Sequence, residues 1–138
     1  MSIAITPHLN FRGTARAALE RYGAVFGGDV TIATHAQVYG TDGAEADHVA
    51  FGMVTAPSGF RIMAFDVPAE RPYDPGTIPL FVSARSADLD ELTAAWDRLA
   101  PGSTIVVPFG PAAWSPAYGM LQDAFGVTWA LDLEVTWG

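Results

Sequence analysis

The side chains able to do chemistry in this 138-residue chain are three His, seven basic and fifteen acidic residues, and two absences narrow their use at once. Every basic residue is Arg and none is Lys, which excludes Schiff-base and Lys-nucleophile chemistry. No Cys is present, so thiol catalysis, disulfides and thiolate-ligated metals are excluded as well. No Ser-His-Asp constellation, glycine-rich phosphate loop after a strand or His-x-x-x-His spacing is recognisable. What remains is imidazole, carboxylate and guanidinium. His8 lies on the polar face of a strand pattern, where it serves as a general base or lone ligand if that face lines a groove, or bonds a neighbouring strand if structural. His48 opens a strand and faces either a pocket or solvent. His35 falls mid-strand beside Thr31, Ala33 and Gln37, which reads as a solvated outer position. Arg61 carries groove-side parity; it pairs with an anionic substrate group or with a sheet acid such as Asp132. Asp132 and Glu134 share one face of the last strand and read as surface acids or as a carboxylate for the groove, with His8 and Asp132 as a conceivable acid/base pair. Asn10, Met63, Phe65, Phe81, Trp114 and Tyr118 complete the candidate ligand-binding set, the aromatics forming either a wall for a flat ligand or plain core.

The elements that must position these residues repeat. Phe51-Gly52-Met53-Val54-Thr55-Ala56-Pro57-Ser58-Gly59-Phe60-Arg61-Ile62 returns as Tyr118-Gly119-Met120-Leu121-Gln122-Asp123-Ala124-Phe125-Gly126-Val127-Thr128-Trp129, at a constant offset (118 − 51 = 67; 126 − 59 = 67). Each copy is preceded by strand, helix and strand patterns. In the first half, Ile3 to Phe11 alternates as a strand, Thr14 to Phe26 has helical spacing ended by Gly27-Gly28, and Val30 to Val38 alternates again. Tyr39 to Asp47 reads as a solvated loop, followed by strands at His48–Ala56 and Phe60–Val67. Residues 68–76, with three Pro and three charges, form a linker. In the second half a strand spans Thr77–Ala84, and Asp88 caps a helix with Glu91 in a capping box. Strands follow at Thr104–Val107, Ala117–Gln122 and from Val127 to the end. The expected fold is α+β: two βαβββ modules, about 1–67 and 77–138, in one domain, forming a curved, mainly antiparallel sheet around a concave pocket. Two such units, each too small to bury its own apolar face, place the ligand groove between them.

Half the residues are hydrophobic and 16% are charged, enough apolar matter for a sizeable core. The net charge of −8 disfavours nucleic acid and anionic membranes as partners. No stretch reads as a signal peptide or spanning helix, and a cytoplasmic location is expected. Four Trp and eight Phe are much aromatic surface for a small monomer, and a homodimer burying more than about 1,000 Å² is expected.

The twofold plan resembles the glyoxalase, bleomycin-resistance and extradiol-dioxygenase (vicinal oxygen chelate) superfamily, and within it the PhnB-like branch. The residues carrying the resemblance are Pro7-His8-Leu9-Asn10-Phe11 and Gly13, Ala17-Ala18-Leu19 through Tyr22 to Phe26-Gly27, His48, and the Tyr118–Trp129 motif. The resemblance implies four metal-ligand positions, on the first and last strands of each half. Here they read His8, Met63 (four residues after Gly59), Pro79 and Ala130 (four after Gly126). Only His8 is a competent ligand for a hard or borderline divalent cation, so no metal held in the superfamily manner and no other cofactor is expected. A methyltransferase label sometimes attached to this branch lacks the Gly-rich turns of a doubly wound cofactor pocket. The function implied is binding of a small organic ligand in the groove without the superfamily metal. The alternative is a small metal-dependent or His-assisted lyase, isomerase or dioxygenase, with His8 and His48 as catalytic residues.

Overall fold

The computed structural model describes residues 5–76 and 80–135. The chain divides into two compact units, Met1–Gly76 and Thr77–Gly138. In the first unit β1 (His8–Phe11), α1 (Ala15–Phe26), β2 (Asp29–Thr34), α2 (His35–Tyr39), a 3₁₀ turn (Gly43–Glu45), β3 (Val49–Thr55) and β4 (Arg61–Asp66) follow in order. In the second come β5 (Val82–Ser86), α3 (Leu89–Leu99), β6 (Thr104–Ala112), β7 (Ser115–Gln122) and β8 (Thr128–Leu133). Each unit forms its own four-stranded mixed sheet, ordered β1-β4-β3-β2 and β5-β8-β7-β6. The first strand lies parallel to the last, and the other pairings are antiparallel. The fold is therefore α+β with two βαβββ modules. No helix among the described residues is long and apolar enough to cross a membrane.

The repeat is exact in register where the sequence copies itself. Gly52, Met53, Val54 and Thr55 pair with Ala64, Met63, Ile62 and Arg61. Adding 67 to each gives the observed pairing of Gly119, Met120, Leu121 and Gln122 with Leu131, Ala130, Trp129 and Thr128. The turns agree too. Ala56 N–H donates to Phe60 O at 2.9 Å and Gly59 N–H to Ala56 O at 2.9 Å; their counterparts are Asp123 to Val127 at 2.8 Å and Gly126 to Asp123 at 3.1 Å. Gly59 and Gly126 have φ of +97° and +88°, which β-carbons oppose. Gly52 and Gly119 serve packing instead. A Cβ on Gly52 would collide with Leu19 and stand 2.7 Å from Ala64 O, whereas one on Gly119 would stand 2.8 Å from the Trp96 ring. The helix of each unit lies on its sheet at the same glycine.

One face of each sheet takes the helix. Leu19 and Tyr22 of α1 are fully buried, as are Val54, Ile62 and Ala64 of the strands; Trp96 and Leu99 of α3 are buried, as are Leu121, Trp129 and Leu131. Burying such side chains contributes about 1.5–3 kcal/mol each.

Three expectations require correction. The alternation over Val30–Val38 is not one strand: Thr34 caps α2, its Oγ1 accepting from Gln37 N–H at 3.2 Å while Gln37 Oε1 accepts from Thr34 N–H at 2.8 Å. A closed capping box outweighs five alternating residues. Asp88 does cap α3, accepting from Asp90 N–H at 2.9 Å and Glu91 N–H at 3.3 Å, but its box stays open. The Asp88 N–H goes to Ser86 Oγ at 3.0 Å, and that hydroxyl donates to Glu91 at 3.0 Å. Finally, the opening strand of the second unit begins at Val82, with Leu80 and Phe81 exposed ahead of it; Thr77, Ile78 and Pro79 lie outside the described residues.

Candidate functional site

The face of the first sheet opposite α1 carries half of the residues expected to line a site: His8, Asn10, Arg61, Met63 and Phe65. Period-two alternation sends Arg61, Met63 and Phe65 one way and buried Ile62, Ala64 and Asp66 the other. Pairing extends the row through His8, Met63, Met53 and Thr31, with Asn10 beside Phe65 and Ala33 beside Phe51. His8 Nδ1 lies 3.2 Å from Asn10 Oδ1, and its ring stands edge-on to Phe65 at 5.2 Å. An amide oxygen only accepts, so Nδ1 carries a proton, and in the neutral ring Nε2 presents the lone pair. Arg61 donates from Nε to Thr6 Oγ1 at 3.0 Å. Met63, Met53, Phe65 and Phe51, all partly exposed, give this face a soft apolar floor with one imidazole and one amide at its edge.

The corresponding face of the second sheet differs. Tyr118 pairs with Asp132, and Asp132 with Arg85. Arg85 Nε donates to both Asp132 oxygens, at 3.0 and 3.3 Å. Asp132 therefore has its cation inside its own sheet. The parallel register sets Arg85 directly beside it. Trp114, at the tight β6–β7 turn, meets the Tyr118 ring edge-on at 4.9 Å and is half-exposed, as is Phe81.

The register also corrects one metal-ligand position. His8 is the β1 residue paired with Met63, and the β5 residue paired with Ala130 is Ser83, so Ser83 rather than Pro79 is the counterpart of His8. Sequence spacing missed this because the halves differ in length between those points (63 − 8 = 55 against 130 − 83 = 47). The first unit thus offers imidazole and thioether, the second a hydroxyl and a methyl. A catalytic divalent site wants about three imidazole, carboxylate or thiolate donors, and this set does not supply them.

His48 does not join His8. It precedes β3, whose Val49 N–H bonds Asp66 Oδ2, and its ring lies beside Gly13 just beyond β1. His8 is at the opposite end of β1, which spans about 10 Å from His8 to Phe11 at roughly 3.3 Å per residue. His48 instead neighbours His35, with ring centroids 5.8 Å apart, and Glu45, with Nδ1 3.9 Å from Oε1. His35 is 2% exposed, which overturns its reading as a solvated strand residue: α2 turns it inward, where Nε2 bonds Asp66 O at 2.9 Å.

Asp66 was not legible as a site residue. It is 1% exposed, and its carboxyl group accepts from Gly13 N–H at 2.7 Å, Ala15 N–H at 3.1 Å and Val49 N–H at 2.9 Å. It ties the start of α1 and the start of β3 to the end of β4. The only hint in the sequence was an acid on the apolar parity of a strand.

Comparison with known proteins agrees with this geometry. The sequence model of the Glyoxalase/Bleomycin resistance protein/Dioxygenase superfamily matches residues 7–131. No curated protein matches the chain. Among solved structures, protein PA1353 from Pseudomonas aeruginosa is 28% identical, with 96% of this chain and 98% of that chain covered and a TM-score of 0.85. A putative 3-demethylubiquinone-9 3-methyltransferase, PhnB protein, from Bacillus cereus is 24% identical over 96% of this chain and 100% of its own, with a TM-score of 0.77. A glyoxylase/bleomycin resistance protein/dioxygenase domain from Frankia sp. EAN1pec shares the fold at 17% identity, covering 100% and 96%, with a TM-score of 0.62. With a family match across most of its length and the same twofold βαβββ plan, the chain belongs to the glyoxalase/bleomycin resistance/dioxygenase superfamily, with PhnB- and PA1353-type proteins among its structural neighbours.

Proposed function

We propose that this protein binds a small, largely apolar organic molecule against the open face of its first sheet, without the superfamily metal. The observation that carries the reading is the row His8, Met63, Met53 with Phe65 and Phe51. It has the character of a ligand floor, apolar with one or two polar groups to orient what lies on it. The positions where relatives with metal chemistry need donors hold His8, Met63, Ser83 and Ala130. A thermal-shift screen of flat organic compounds, repeated on Met63→Glu, tests this. A hit that raises Tm in the wild type and loses its effect in the variant is expected; a hit unaffected by Met63→Glu and Phe65→Ala overturns it.

A second reading follows from the His8–Asn10 contact. Asn10 holds His8 with Nε2 bare, the arrangement of a general base, so proton transfer on the bound molecule is the chemistry this face can add. Asn10→Ala separates the two: it lowers turnover of any substrate found while leaving its affinity nearly unchanged.

The same reading includes a homodimer. Ile105, Val106 and Val107 of edge strand β6 are all exposed, as is Leu89 on α3, more apolar surface in one unit than a monomer favours. Light scattering at micromolar concentration is expected to give twice the chain mass, and a monomeric mass refutes it.

A further inference from the structure

The segment that joins β2 to β3 has no counterpart in the second unit, where two residues link β6 to β7, and it gathers three metal-competent side chains. We propose that His35, Glu45 and His48 form a binding site for one divalent transition-metal ion of the zinc class, separate from the superfamily's ligand positions. One ligand atom from each lies within 4.8 Å of the other two. The chemistry of each donor is already set. The carbonyl of Asp66 can only accept, so the proton of His35 sits on Nε2 and Nδ1 is left as a lone pair. A ring nitrogen anchored to a backbone carbonyl while the other faces inward is the usual support of a metal-bound imidazole. His48 Nδ1 is, among the described residues, the one buried side-chain nitrogen or oxygen without a hydrogen-bond partner. Leaving such an atom unsatisfied is costly, and an ion there satisfies it. Glu45 adds the charge, from a stretch (42–47) that holds Asp42, Glu45 and Asp47 and no base.

The backbone holds this set in place before any ion arrives. His35 N–H donates to His48 O at 2.7 Å, Ala36 N–H to Ala46 O at 3.0 Å, and His48 N–H to Glu45 O at 3.1 Å. The two ends of the excursion are thus stitched together, and the Thr34–Gln37 capping box fixes where His35 starts α2. Donors bound at about 2.0–2.1 Å in a tetrahedron stand roughly 3.4 Å apart, so the site closes by about 1 Å on binding. His35 is locked, while the Glu45 and His48 side chains, 33% and 27% exposed, are free to make that movement. Two imidazoles and one carboxylate select Zn²⁺, Co²⁺, Ni²⁺ or Fe²⁺ over Mg²⁺ and Ca²⁺, and three protein donors leave a position for water.

The test uses the untagged full chain stripped with EDTA. Calorimetric titration with Zn²⁺ is expected to show one ion per chain with Kd of about 1 μM or tighter. Glu45→Gln and His48→Ala should each weaken binding by at least about tenfold, and His8→Ala should leave it unchanged. Co²⁺ should give visible bands in the wild type that vanish in His48→Ala. Because His35→Ala opens a buried cavity, the variants at the two partly exposed positions carry the test, with circular dichroism confirming their fold. Absence of stoichiometric binding by the wild type, full-strength binding by both variants, or loss of binding in His8→Ala overturns the proposal.

Discussion

The two units share strand order, hairpin register and turn hydrogen bonds, yet each holds its buried carboxylate at a different joint. In the first, Asp66 ends β4 and takes three backbone N–H groups from two distant segments. In the second, Asp123 sits in the β7–β8 turn. It accepts from Phe125 N–H at 2.9 Å, Val127 N–H at 3.0 Å and the Trp129 indole at 2.9 Å, all within six residues. Asp66 is a long-range clasp and Asp123 a local one. The difference follows from connectivity. The first unit spends residues 35–48 on an excursion between β2 and β3, whose return must be anchored; the second turns tightly at Trp114 and needs no anchor. Repeating a fold does not repeat its fastenings, and the unit with the longer connection is the one that acquires a new cluster of His and Glu.

Replacing the long-range clasp should do the most damage. Asp66→Ala orphans three backbone N–H groups, those of Ala15 and Val49 buried and that of Gly13 part-buried, and a loss of about 4 kcal/mol in urea unfolding is expected. If Asp123→Ala costs more, the contrast between distant and local anchoring is wrong. Next come the helix-contact glycines. Gly52→Ala should destabilise by about 2–3 kcal/mol, because the Ala64 carbonyl cannot move aside. Gly119→Ala should cost about 1–2 kcal/mol, since it meets the end of the Trp96 ring. Equal losses would show that the two helices sit alike. A smaller effect is expected at the caps: Thr34→Ala and Asp88→Ala should each remove about 1 kcal/mol. Only Thr34→Ala should also speed amide exchange across residues 35–48, and its failure to do so would detach the capping box from that segment. Smallest is His8→Ala, an exposed position that should leave the midpoint of unfolding unchanged while weakening binding of any ligand to the first sheet. A clear stability loss there would make His8 a structural residue.

Much of this could be read from residue order. The 67-residue repeat predicted the shared hairpin register, and alternation placed Met63 and Phe65 on the face away from α1, as observed. Where reading failed, a local bond or a parallel pairing decided. Val30 to Val38 alternates well, but the Thr34–Gln37 box starts a helix inside it. Asp132 meets Arg85 through the parallel β5–β8 register, a pairing between residues 47 positions apart that alternation does not record. Spacing alone points to Pro79 as the counterpart of His8, because a motif offset does not register the eight extra residues between strands in the first unit.

Periodicity and repetition are properties of neighbouring residues, so the sequence by itself determined the βαβββ plan, the turn glycines and the alternating faces. It also set the chemical limits: no thiol, no amine and a single imidazole among the superfamily's donor positions. Pairing between β1 and β4, between β5 and β8, and between the two ends of the 35–48 excursion joins residues many positions apart. Only the tertiary structure could therefore decide that Ser83 answers His8, that Asp66 clasps three segments and that His35, Glu45 and His48 meet. The physical reason is that strand register and burial are set by the packing of whole elements, and nothing in local spacing records them.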